Sequence, residues 1–173
     1  MKLIVVTGMP GSGKEEFLKV AASMGIPYVR MGDVVRQFYD ASGSDLNIGK
    51  YAGEERERHG PRIWAERCLE KMSGQTFLVD GCRSLNEVEA FRGLTGNVII
   101  VAIHTPPSLR YERLVARARS DAPESREQFD ERDAREMEWG MSNVIVLSDR
   151  MVLNDDTLKK FQGRSVKLLK ELR

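Results

Sequence analysis

The order of residues at the start of the chain constrains its fold more than any other feature: Lys2-Leu3-Ile4-Val5-Val6-Thr7-Gly8-Met9-Pro10-Gly11-Ser12-Gly13-Lys14-Glu15-Glu16-Phe17. Residues 3–6 are apolar and largely β-branched, the composition of a buried strand. Gly8, Gly11 and Gly13 interrupt any regular structure, permit positive φ and let backbone approach a ligand closely. From Lys14 onward, Phe17, Leu18, Ala21 and Ala22 recur at helical spacing. Strand, glycine-rich loop, lysine and helix in that order build an anion site. Unpaired amides and the helix dipole meet there, and Lys14 adds a full positive charge. The spacing Gly8-x4-Gly13-Lys14 fits a phosphate-binding loop, with Gly8, Met9, Pro10, Gly11, Ser12, Gly13, Lys14 and Glu15 as the nucleotide-binding residues. Glu15 stands where a Ser or Thr usually ligates Mg²⁺, and a carboxylate is also a hard oxygen ligand for that ion.

Composition narrows the remaining choices. With 173 residues the chain can build one domain around a real core. Its formal net charge of +1 gives no global field toward nucleic acid or a membrane surface, so neither is expected as a partner. The first apolar run is too short for a membrane span or a signal peptide. Cys68 and Cys82 lack metal-site spacing and lie in apolar contexts, which reads as two buried thiols in a reducing, cytoplasmic protein.

Downstream, strands and helices alternate. Residues 26–30 read as a short strand with Pro27 at its start, and Asp33 as the N-cap of the helix carrying Val34, Val35 and Phe38. Residues 45–59 are polar and mixed in charge, as in a solvated helix or mobile cap, and His59 there reads as exposed. Pro61 opens the next helix. Residues 76–80 form a strand ending in Asp80, and Ser84 with Glu87 has the spacing of a capping box. Residues 97–103 form a continuously apolar strand. An arginine-dense segment follows (Arg110, Arg113, Arg117, Arg119, Arg126), then a helix with Arg132 and Arg135. Residues 143–147 fit helix or strand equally, and residues 150–153 are the last strand before a closing helix. This alternation implies a parallel sheet with helices on both faces and ligands at the strands' carboxyl ends, where Thr7, Gly8, Asp80, His104 and Asn154 fall.

With the phosphate-binding loop, the Gly32-Asp33-Val34-Val35-Arg36 helix start and the Asp80-Gly81-Cys82-Arg83 turn in place, the chain resembles the P-loop nucleoside monophosphate kinases. It looks closest to an archaeal family related to adenylate kinase, with dephospho-coenzyme A kinase as a second relative. The resemblance implies a three-layer α/β/α fold with a five-stranded parallel sheet. It also implies a helical acceptor-binding insert over residues 32–72 and a short lid over residues 113–135. It places Gly32, Asp33, Arg36, Asp80, Gly81 and Arg83 against the acceptor, with Arg36 and Arg83 on its phosphate. Asp80 would order Mg²⁺ together with Glu15, and Arg113, Arg117 and Arg119 look like lid arginines. Arg132 and Arg135 are further candidates, and two of these five arginines are expected to face the cleft. Asn154 would lie beside the donor base. Val88 stands near the place of the Gln that reads AMP in adenylate kinases.

Lys14, Arg36, Arg83, Arg117 and Arg119 are therefore the expected catalytic group, with ATP and Mg²⁺ as cofactors and AMP or a related small nucleotide as acceptor. Two alternatives stand beside this reading. One is a dephospho-coenzyme A kinase-like enzyme with a hydroxyl acceptor and Asp33 as base. The other is a nucleotide switch or ATPase without an acceptor. Oligomeric state is open.

Overall fold

A computed structural model of the chain describes residues 1–117 and 122–173. Five strands, β1 (Lys2–Thr7), β2 (Tyr28–Arg30), β3 (Thr76–Asp80), β4 (Val98–His104) and β5 (Arg150–Leu153), form one sheet in the order β2-β3-β1-β4-β5. Every pairing is parallel, with Val5 of β1 in register with Val79 on one side and Ile100 on the other. The expected five-stranded parallel sheet is thus found.

β1 is central and buried on both faces because alternate side chains point to opposite sides. Leu3 and Val5 join one core with Trp64, Phe77, Phe91 and Val144. Ile4 and Val6 join the other with Phe17, Val101, Phe161 and Leu169. The helices are α1 (Lys14–Ser23), α2 (Met31–Ser42), α3 (Ile48–His59), α4 (Ile63–Leu69), α5 (Leu85–Leu94), α6 (Pro107–Ala116), α7 (Arg126–Glu138), α8 (Met141–Val146) and α9 (Leu158–Leu172). α1 and α9 cover the second core, and α2, α4, α5 and α8 supply the first. Trp64 is fully buried and its indole N–H donates to Ala52 O at 3.1 Å. Truncating a side chain of that size costs about 3–5 kcal/mol. Among the described residues, no helix is long and apolar enough to cross a membrane.

Several local readings change. Asp33 is not an N-cap: β2 runs directly into α2, Arg30 occupies the cap position, and Asp33 sits in the first turn paired with Arg36. Pro61 lies in the turn after Gly60, and α4 begins two residues later. The polar stretch before it is a packed helix: Tyr51, Ala52 and Glu55 of α3 are buried, and Arg67 holds the Glu55 carboxylate at 2.6 Å. Its apolar positions are few but lie on one face, and Glu55 is tolerated inside because α4 brings a cation to it. The ambiguous stretch before β5 is helical. The capping box at Ser84 and Glu87 forms as its spacing predicts, and both cysteines are free and buried.

Because all strands run one way, Thr7, Arg30, Asp80, His104 and Leu153 end at one edge of the sheet. Hydrogen bonds join the loops there: Thr7 Oγ1 donates to Cys82 O at 3.0 Å, Gly81 N to Val6 O at 3.2 Å, and Asn154 N to His104 O at 2.8 Å.

Candidate functional site

The loop between β1 and α1 is held by glycines that no other residue could replace without strain. Gly8, Gly11 and Gly13 take φ of 146°, 81° and 104°. A Cβ on Gly8 would lie 2.5 Å from Ile103 O, and one on Gly13 would lie 2.2 Å from Asn154 Nδ2. Ser12 N donates to Met9 O at 3.1 Å, and Gly13 O accepts from Glu16 and Phe17. Among the described residues, no backbone carbonyl accepts the amides of Gly11, Gly13 or Lys14. These three residues line a cavity of about 200 Å³, together with Ser12 and Glu15. Unmatched amides at a helix start facing a cavity are the elements of an anion site.

Charged side chains complete its wall. Lys14 donates its ammonium to Gly8 O and, at 3.3 Å, to Met9 O. Burial lowers its pKa, opposed by the charges of Asp80 and Glu136. Burial raises the Asp80 carboxyl, opposed by Lys14, Arg30 and Arg83, and its Oδ1 is buried without a hydrogen-bond partner. Arg30, Asp80, Arg117 and Arg132 line the same cavity, with Arg117 Nη2 4.0 Å from Glu15 Oε2. No cluster of three or more metal-ligating side chains occurs among the described residues. A Mg²⁺ ion here would draw on Asp80 and Glu15, with phosphate and water oxygens completing its shell. One or two carboxylates plus phosphates is the usual protein share for this ion, and the unmatched Asp80 oxygen fits that set.

A second cavity, about 660 Å³, opens beside the first. One wall is small and apolar, from Gly32 and Val35 of α2 and Ile48, Gly49 and Ala52 of α3. The opposite wall is one face of α7, with Gln128, Glu131, Arg135 and Glu136, continued by Trp139. Arg36, Arg56 and Arg83 also reach it, each beside a carboxylate. Arg36 pairs with Asp33, and Arg56 Nη2 lies 3.5 Å from the buried Glu87. Arg83 Nε lies 3.0 Å from Glu136, with its guanidinium 5.3 Å from the Trp139 ring centroid. Arg132 lines both cavities.

A third cavity of about 370 Å³ flanks the loop on its other side, lined by Arg113, Arg117, Asn154 and Leu158 beside Gly11 and Gly13. Arg110 is buried: it donates to Pro10 O at 3.2 Å and forks onto Asp133 of α7.

Of the residues singled out from the sequence, Pro10 through Glu15 and Asp80 surround the phosphate-sized cavity. Gly32, Arg36 and Arg83 line the larger one. Gly8 and Met9 support the loop from behind, Gly81 bonds back to β1, and Asp33 lines none of the three cavities. Arg113 lines the third cavity, Arg117 the smallest and the third, Arg132 the two main ones and Arg135 the largest, and Arg119 lies outside the described residues. Arg30, Arg56, Glu136 and Trp139 line these cavities and went unassigned from sequence; only Arg30, at a strand's carboxyl end, carried a positional signal.

Comparison with known proteins agrees with this architecture. Residues 4–138 match the family model described as an AAA domain. A UPF0200 protein of Thermoplasma acidophilum is 44% identical over 98% of this chain and 96% of its own length. One of Sulfurisphaera tokodaii is 39% identical over 99% and 98%. Among solved structures, a gluconokinase from Sinorhizobium meliloti 1021 superposes with a TM-score of 0.66 at 17% identity, covering 99% of this chain and 93% of the other. A dephospho-CoA kinase from Campylobacter jejuni gives 0.61 at 17%, covering 99% and 97%. At such identities the likeness concerns the fold. The chain belongs to the UPF0200 family, matches the AAA domain family over most of its length, and has the P-loop kinase fold.

Proposed function

We propose that the protein transfers a phosphoryl group from ATP to a nucleotide or nucleotide-like small molecule in the cytoplasm. The observation that carries this reading is a pair of cavities that share Arg132 as a lining residue: one of phosphate size lined by Gly11, Gly13 and Lys14, the other large and lined by arginines. A hydrolase needs only the first. The second has room for an acceptor with an anionic group and a ring, against an apolar wall and the half-exposed Trp139. Two free, buried cysteines support a reducing compartment.

In this reading the amides of Gly11, Gly13 and Lys14 and the Lys14 ammonium hold the donor phosphates. Asp80 and Glu15 hold Mg²⁺, which when bound screens phosphate charge. The α2–α4 excursion, residues 32–72, is the acceptor-binding insert, with Arg36 and Arg83 gripping the acceptor's anion. Residues 113–135 are the lid in this reading, and Arg117 and Arg132, which line the smaller cavity, bear on the transferring group. Catalysis is then positioning and cation clamping, since the transition state spreads charge over the phosphoryl oxygens. An acceptor phosphate is already anionic and needs no protein base. A hydroxyl acceptor, as in a dephospho-coenzyme A kinase-like reaction, would need one. Asp33 lines none of the three cavities, whereas Glu131 and Glu136 line the acceptor cavity, so a base in that alternative would come from one of these two.

The test is ADP release from ATP and Mg²⁺ across a panel of nucleoside monophosphates, dephospho-coenzyme A and no acceptor. At least tenfold stimulation by one acceptor is the expected result. Release indifferent to every acceptor would replace this reading with a nucleotide switch or ATPase.

A further inference from the structure

Ser12 O, in the middle of the phosphate loop, is held by two donors from elsewhere in the chain. Asn154 Nδ2, just past β5, donates to it at 2.8 Å. Thr105 Oγ1, just past β4, lies 2.9 Å from it and 3.0 Å from Asn154 O. All three residues are buried. Thr105 has one proton for these two carbonyls. Arg113 Nη1 donates to Asn154 O at 3.1 Å and to Thr105 Oγ1 at 3.3 Å. Each carbonyl thus has a second donor, the Asn154 side chain for Ser12 O and Arg113 for Asn154 O, and the Thr105 hydroxyl ties the two together.

The consequence follows from peptide geometry. In a trans peptide the carbonyl and the next amide N–H point in opposite directions. Pinning Ser12 O toward Thr105 and Asn154 therefore turns the Gly13 N–H away from them, and Gly13 lines the anion cavity, to which neither Thr105 nor Asn154 contributes. The close approach of Asn154 is also why residue 13 has no room for a Cβ.

We propose that Thr105 and Asn154 are positioning residues that aim the Gly13 amide at a bound polyphosphate. Arg113, which donates to both Thr105 Oγ1 and Asn154 O, braces the pair. The inference rests on the phosphate-loop reading and adds to it a residue, Thr105, that lines none of the three cavities.

The test compares the full chain with its Thr105→Val and Thr105→Ser variants, by calorimetric titration with ATP and with inorganic tripolyphosphate. Valine keeps the shape and removes the proton; serine restores it. Thr105→Val should bind both ligands about tenfold more weakly, the loss expected for one hydrogen bond's control of an anion-binding amide. Thr105→Ser should return to within about threefold of the unaltered protein. The ¹H–¹⁵N resonance of Gly13 should move on adding tripolyphosphate to the unaltered protein and move less in Thr105→Val. A merely structural threonine would lower the melting temperature and leave that resonance and both affinities in place. If Thr105→Val does not fold, Asn154→Ala, which deletes the other donor, carries the same expectation. Equal binding by the unaltered protein and the variant overturns the tether alone. Binding of neither ligand by the unaltered protein overturns the phosphate-loop reading and the tether with it.

Discussion

The two main cavities are built by opposite means. The smaller rests on backbone: a loop with three glycines at positive φ, amides at a helix start and a carbonyl pinned from a neighbouring loop, with charged side chains closing the wall. The larger is made of long side chains from four places, α2, α3, the turn after β3, and α7, and three of its arginines sit beside carboxylates. Backbone geometry is pre-set and tolerates almost no substitution. Paired side chains can exchange a protein carboxylate for a ligand anion, so they suit a site that must let its occupant come and go. The first region should therefore fail abruptly on mutation and the second by degrees.

The largest effect is expected in the backbone region. Gly13→Ala forces a Cβ into Asn154 at a φ that alanine disfavours, and Lys14→Ala removes the cation. Each should lower ATP turnover by about a hundredfold or more, as losses of transition-state charge stabilisation do. Steady-state kinetics with ATP varied checks this, and near-normal turnover in either would end the distinction drawn here. Next comes Arg36→Ala, which should raise the acceptor KM on the order of tenfold and leave the ATP KM within about twofold, because Arg36 lines only the larger cavity. Equal changes in both constants would mean that the two regions do not divide donor from acceptor. A smaller change is expected from Glu15→Ser, a several-fold shift of the Mg²⁺ titration midpoint for ATP turnover. An unchanged midpoint would take Glu15 off the metal.

The smallest effect is on stability. Burial raises the Asp80 carboxyl above its ordinary value. Such a group adds stability that is complete below the ordinary carboxylate pKa and is lost as pH rises through its raised folded value. The stability of the unaltered protein relative to Asp80→Asn should therefore grow as pH falls from neutral toward the ordinary carboxylate range. Paired chemical denaturation curves across that interval measure it, and a difference that shrinks on acidification would contradict the assigned burial.

The same contrast explains what could be read from residues alone. The loop was legible because its chemistry is local: Gly8, Gly11, Gly13 and Lys14 are neighbours in sequence, and the apolar run before them can only be a buried strand. The capping box at Ser84 and Glu87 was legible for the same reason. Glu136 and Trp139 were not, because their importance comes from α7 crossing to face α2 and α3, which no local pattern encodes. Asp33 was misread because a strand running straight into a helix leaves no residue free to cap it. The packed face of α3 was missed because Glu55, one of its buried positions, is charged and becomes tolerable only once α4 delivers Arg67. Val88, near the position that reads the base in the kinases this chain resembles, is buried in the core.

The account is tested most directly by following the γ-phosphate of labelled ATP in the presence of Mg²⁺ and a mixture of nucleoside monophosphates. Transfer of the label into a nucleotide, abolished by Lys14→Ala and requiring a higher acceptor concentration in Arg36→Ala, is the predicted result. Label appearing only as inorganic phosphate, at the same rate with and without the mixture, would contradict it.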